Sequence, residues 1–177
     1  MYAAKLMMKN KSLNYVDSGL IKKVEGDAFG SAIRISDIKS GLKGFTYCGT
    51  VPVEASKTVV SVMPYALDIY IYSSLKIAWR NFTNNAAVTS LVTLSEDKQP
   101  YIAATLYYPT TSTQEISFDF EGEKVKTSTV SVPSSFDYAS VRVGTGVESI
   151  ELGLVYNRVL TAEELAQNYQ AFLAKHR

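Results

Sequence analysis

Between residues 150 and 165 the hydrophobic spacing changes from a period of two to a period of 3.6, and that junction limits what the chain can fold into. Ile150, Leu152 and Leu154 alternate with Glu151 and Gly153, the spacing that puts one face of a strand into a core. Thr161 then stands three residues before Glu164. Its hydroxyl can accept from the Glu164 amide while the Glu164 carboxylate accepts from the Thr161 amide, a capping box, and Leu160 and Leu165 flank it as a hydrophobic staple. Beyond the cap, Leu165, Tyr169 and Phe172 fall on one helical face. Glu163 and Glu164 sit at the positive end of the helix, and Lys175, His176 and Arg177 at the negative end. The spacing predicts a helix over residues 161–174, docked on a β structure by Leu165, Tyr169 and Phe172.

The rest of the chain reads as short strands. Residues 32–35 alternate, residues 45–48 follow a glycine-punctuated stretch, and Val59-Val60-Ser61-Val62-Met63 is a β-branched run stopped by Pro64. Residues 67–72 and 75–80 form a hairpin across Ser73-Ser74. Leu67, Ile69, Ile71, Leu75, Ile77 and Trp79 share its apolar face, and Asp68, Tyr70, Tyr72, Lys76 and Arg80 its other face. Strands over 88–94 and 101–108 come next, then an exposed Ser/Thr-rich loop over 109–114. A strand over 115–120 turns at Glu121-Gly122-Glu123 and returns over 124–132. Many short strands with one late helix specify an all-β, antiparallel two-sheet jelly-roll sandwich with a short C-terminal helix, and not an alternating α/β fold. Residues 1–20, with little period, read as an N-terminal arm or tether, and residues 21–177 as the sandwich domain.

The segment Ile150-Glu151-Leu152-Gly153-Leu154-Val155-Tyr156-Asn157-Arg158-Val159-Leu160-Thr161-Ala162-Glu163-Glu164-Leu165 resembles the closing stretch of laminin-G-like domains of the concanavalin A-like lectin and glucanase superfamily. In that family a strand ends in Tyr-Asn-Arg, a Leu follows, and a capped acidic helix begins. Tyr101-Ile102-Ala103-Ala104-Thr105-Leu106, Phe118-Asp119-Phe120-Glu121-Gly122-Glu123 and Val143-Gly144 resemble upstream family strands in order. The likeness covers about the last 80 residues and implies a fold more than a function. It also implies the possibility of calcium, although Asp37, Asp97, Asp119 and Asp137 are isolated and assign no metal.

Composition and motifs exclude several chemistries. A net charge of +1 with scattered Lys and Arg gives no basic stripe for nucleic acid. No run approaches the roughly 20 apolar residues of a membrane span, and the first residues lack the continuous apolar stretch of a signal peptide, so the expectation is cytoplasmic synthesis. The lone Cys48 reads as a buried thiol. His176 is the only histidine, which leaves no base for a Ser-His-Asp or Cys-His site and too few ligands for zinc. Glu121 with Glu123 straddle a turn, and Glu148 with Glu151 point to opposite faces. Neither pair resembles the superfamily's catalytic Glu-x-Asp-x-x-Glu strand, so the expectation is a protein that is not an enzyme, with these glutamates solvated.

What remains is aromatic. The chain has 12 Tyr. Tyr70, Tyr72 and Tyr107, with Asn81, Asn84 and Asn85 and the 109–114 loop at the edge, form a candidate carbohydrate-binding set in which rings stack on sugar C–H faces and amides bond hydroxyls. Tyr is also a good strand former, so the same face serves equally as packing or as an assembly interface. The two readings are a lectin-like adhesion module and a structural scaffold. Laminin-G-like domains are common in phage tail and capsid appendages, so the resemblance implies a virion protein whose partners are a cell-surface glycan or other virion proteins. Weak single sites then imply a homo-oligomer or many copies on a particle.

Overall fold

A computed structural model describes residues 14–25, 33–35, 44–63, 67–81, 86–95, 99–110, 113–131, 140–143 and 150–177. Twelve strands lie within these residues: β1 Leu20–Glu25, β2 Ile33–Ile35, β3 Gly44–Thr50, β4 Lys57–Met63, β5 Leu67–Ile71, β6 Lys76–Asn81, β7 Ala86–Thr93, β8 Tyr101–Thr110, β9 Thr113–Phe120, β10 Glu123–Ser131, β11 Ser140–Val143 and β12 Leu152–Tyr156. A single helix among the described residues, α1, spans Ala162–His176. The strands form two antiparallel six-stranded sheets, ordered β1-β12-β3-β8-β9-β10 and β2-β11-β4-β5-β6-β7. This is the expected sandwich with its C-terminal helix.

Two apolar layers hold it together. Phe45, Tyr47, Ile69, Ile71, Ile77, Ile102, Leu106, Phe118 and Val155 fill the space between the sheets. Tyr15, Val16, Cys48, Tyr101, Leu152, Leu154, Tyr156 and Phe172 form a second layer, between the outer face of the first sheet and α1. The central strands β3 and β12 are therefore buried along their whole length. One departure from the sequence reading lies just before β12. Ile150 does not share a face with Leu152 and Leu154: it packs between the sheets, while they pack under the helix. Ile150 precedes the strand, across a bend at Glu151, whereas within β12 the alternation holds: Val155 packs between the sheets, opposite in face to Leu152 and Leu154.

The helix starts as its sequence specifies. The Glu164 amide donates to Thr161 Oγ1 at 3.3 Å and the Thr161 amide donates to Glu164 Oε2 at 2.9 Å. Glu164 also receives Arg158 in a bidentate pair, with Nη1 to Oε2 at 2.7 Å and Nη2 to Oε1 at 2.6 Å, and Arg158 Nε donates to Ser18 O. Arg158 thereby holds its partner's carboxyl below the usual range. Phe172 is fully buried and stacks on Tyr101, with ring centroids 5.0 Å apart. The buried Asn168 is the polar centre of this layer. It accepts from the Val16 amide at 2.8 Å and donates to Tyr156 Oη at 3.0 Å, and Tyr156 Oη donates to Val16 O.

Three expectations are corrected, and one β-branched run shows a local irregularity. Residues 14–19, read as part of an arm, pack on the helix: Tyr15 and Val16 are buried, and Gln167 Nε2 donates to Asn14 O. Residues 1–13 of that arm lie outside the described residues. Leu75 is not in a strand but in the β5–β6 turn at φ +58°, where its carbonyl accepts from the Leu94 amide. Val59 and Val60 are both buried, because a bulge between Thr58 and Val60 breaks the alternation. Glu121, expected in solvent, is gathered by four donors. Arg177 Nη1 reaches Oε2 at 2.7 Å and Nη2 reaches Oε1 at 3.2 Å, Tyr169 Oη reaches Oε2 at 3.0 Å, and the Tyr101 amide reaches Oε1 at 2.8 Å. Beside it Gly122, at φ +82°, leaves the room that the Tyr169 ring occupies.

Candidate functional site

The sequence candidates fall on different sides of the molecule. Ile69 and Ile71 point between the sheets, so Tyr70 and Tyr72 lie on the outer face of the second sheet. There they form an edge-to-face pair with ring centroids 5.4 Å apart and planes at 79°, each half-buried. The Asn81 backbone sits on the same sheet, paired with Leu67 and Ala86. Asn84 and Asn85 lie outside the described residues. Tyr107 belongs to β8 of the first sheet, where Ile102, Ala104 and Leu106 point inward. At 41% exposure it stands on that sheet's outer face, across the sandwich from Tyr70 and Tyr72. The loop placed at the site's edge is shorter than the sequence suggested: Pro109 and Thr110 continue β8, and Thr113 and Gln114 open β9.

The second-sheet face is less polar than its residue types suggest. Asp68, on the tyrosine side, is only 3% exposed and accepts from Thr58 Oγ1 at 3.3 Å, and Ala78, opposite Tyr70 in the pairing, is fully buried. Tyr70 and Tyr72 thus have covered neighbours in Asp68 and Ala78, while Lys76, on the same face, is exposed.

Sequence reasoning missed a cleft of about 270 Å³ on the other sheet. The pairing registers line up two rows across the outer face of the first sheet beside α1. Cys48, Ala103, Asp119 and Lys124 make one row, and Thr46, Thr105, Ser117 and Thr127 the next. The helix covers the Cys48 end of the first row, and burial pushes that thiol up to about 12. The small Ala103 then opens the space in front of Asp119. Asp119 is 9% exposed, and its Oδ1 has no hydrogen-bond partner. Burial pushes its carboxyl above the usual range, and Lys124 pulls it part of the way back. Only β10 carries alternating hydroxyl residues, Thr127, Thr129 and Ser131; the hydroxyl row itself forms across strands, so which hydroxyl faces which acid depends on register.

Among the described residues no three acidic, His or Cys side chains gather. No helix among them is long and apolar enough to cross a membrane.

No protein-family profile and no curated protein sequence matches this chain. Solved structures do. Trypanosoma rangeli sialidase in complex with 2-keto-3-deoxy-D-glycero-D-galacto-2,3-difluoro-nononic acid aligns with a TM-score of 0.60 at 13% identity, over 84% of this chain and 27% of the sialidase chain. A mutant of that sialidase displaying trans-sialidase activity also gives 0.60, at 11% identity, over 88% and 33%. The sialidase in complex with sialic acid gives 0.57, at 10% identity, over 88% and 31%. This chain thus spans about a third or less of those proteins. The shared fold is an antiparallel two-sheet jelly-roll sandwich. The expectation of a protein that is not an enzyme is corrected by these likenesses, because the fold recurs within enzyme chains. That exclusion leaned on a missing carboxylate pair, and sialidases use a Tyr nucleophile instead.

Proposed function

We propose that this domain is a carbohydrate-binding, lectin-like adhesion module whose glycan contact is the Tyr70–Tyr72 pair on the outer face of the second sheet. One observation carries the reading: two tyrosines two positions apart, Tyr70 in β5 and Tyr72 just past its end, present half-exposed rings at 79° to each other. Such a pair offers one ring face to the C–H side of a pyranose and a hydroxyl at its edge. The sandwich fold shared with a sialidase solved in complex with sialic acid supports a glycan as the ligand class. The finer reading, an appendage of a bacteriophage tail or capsid that meets the host surface in many copies, rests on the likeness of residues 150–165 to laminin-G-like domains.

A single contact of this size binds near 1 mM, or about 4 kcal/mol, and useful adhesion needs several copies. A glycan array read with a multimeric form of the protein tests the reading. Binding that is lost in Tyr70→Ala and Tyr72→Ala is the expected result. An array without signal, together with both tyrosines protected inside a subunit contact, leaves the domain as an assembly scaffold.

A further inference from the structure

We infer that the cleft between α1 and the outer face of the first sheet is a second, separate site, built to hold one neutral pyranose ring. Its two walls differ in chemistry as the two sides of a sugar do. Leu160, Ala162 and Leu165 line one side, and Ser117, Asp119 and Lys124 the other. Thr105 and Thr127 flank Ser117 across the strand pairs and continue the hydroxyl row. At about 270 Å³ the cleft lies just under the roughly 300 Å³ at which small-molecule pockets begin, which is room for one ring.

The buried Asp119 gives the site its specificity. A carboxylate oxygen that is shut away from water without a donor is costly, and a ligand hydroxyl removes that cost by donating to it. Lys124, directly opposite Asp119 in the β9–β10 pairing, supplies the complementary donor. Adjacent hydroxyls on a pyranose satisfy both at once, one donating to Asp119 and the next accepting from Lys124. The C–H face of the ring then lies against Leu160, Ala162 and Leu165. An acidic sugar is disfavoured, because Asp119 faces it from the floor and Glu115 also lines the cleft.

Burial raises the Asp119 carboxyl, so ionising it costs the folded state, a cost complete above the raised folded value and relieved as pH falls from there to the ordinary carboxylate range. Asp119→Asn should therefore melt no lower than the parent protein at pH 7, as expected of a residue kept for binding at the expense of stability.

The test is a titration of the full chain with D-glucose, D-galactose, D-mannose and N-acetylneuraminic acid, followed by backbone amide NMR. At least one neutral hexose should move the amides of Ala103, Ser117, Asp119 and Lys124 saturably, in the millimolar range. Asp119→Asn should weaken that binding by about tenfold or more, the equivalent of one hydrogen bond to a charged group. Lys124→Ala, at an exposed position, should weaken it several-fold without disturbing the fold. The double variant Tyr70→Ala, Tyr72→Ala should leave these shifts intact, which separates this site from the glycan face of the second sheet. No saturable shift with any of the three hexoses overturns the inference. So do unchanged affinity in Asp119→Asn, a lowered melting temperature in that variant, or preferential binding of N-acetylneuraminic acid.

Discussion

The two sheets treat their outer faces in opposite ways. On the first, α1 and residues 14–19 seal β12, β3 and part of β8, with Asn168, Arg158 and Glu121 as hydrogen-bonded fasteners. On the second, no helix among the described residues covers the strands, and a pair of tyrosines stands half-exposed. Both faces are made from the same strand chemistry. Among the described residues, what separates them is that α1 and residues 14–19 lie over the first sheet, with their own buried hydrogen bonds, whereas the second sheet shows a half-exposed tyrosine pair beside the buried Asp68 and Ala78.

That contrast can be broken from the covered side, and the largest effect should come from its apolar centre. Phe172→Ala removes a fully buried ring stacked on Tyr101 and should cost about 3–5 kcal/mol in urea unfolding. Hydrogen exchange should speed up in β1 and β12 well before β5 and β6; equal acceleration in both sheets would contradict the division drawn above. Asn168→Ala should come next, at about 2 kcal/mol, because it strands the Val16 amide and leaves Tyr156 with one partner fewer.

Acid should act on the Glu121 clasp. Burial opposes ionisation of this carboxylate, but Arg177, the Tyr101 amide and Tyr169 outweigh it and hold its carboxyl below the ordinary 4.5. A lowered folded pKa means that the contribution is complete above that value and disappears as pH falls through the folded one. Thermal melts from pH 6 to pH 3 should show this loss, and Arg177→Ala should flatten the curve. Thr161→Ala, which removes only the cap, should cost about 1 kcal/mol and shift the urea midpoint without changing the slope.

The sequence made the covered side legible where its signals were local. Thr161, Glu164 and the spacing of Leu165, Tyr169 and Phe172 lie within one helix, so their geometry follows from 3.6 residues per turn. Asn168 was not legible, because a polar residue in an amphipathic pattern reads as solvent-facing until Val16 and Tyr156 are known to meet it. Glu121 was misread for the same reason: its donors come from residues 101, 169 and 177. Leu75 and the Val59–Val60 bulge are departures from regular strand geometry that a period of two cannot register. The candidate aromatic set divided because alternation assigns a face within one strand and does not tell which of two sheets the strand will join.

The position of β12 sets the order in which this domain can be completed. It lies between β1 and β3, and among the described residues β1 has no other strand partner. Leu20 therefore waits for Tyr156, and the Tyr156 hydroxyl closes onto Val16 across 140 positions of chain. On a ribosome, β3, β8, β9 and β10 can assemble early, whereas β1 gains its partner among the described strands only when residues 152–156 have emerged. Loop closure on that scale makes for slow folding. During synthesis the unpaired rim of β3 is open to a neighbouring nascent chain, and the last strand removes that hazard by filling the gap.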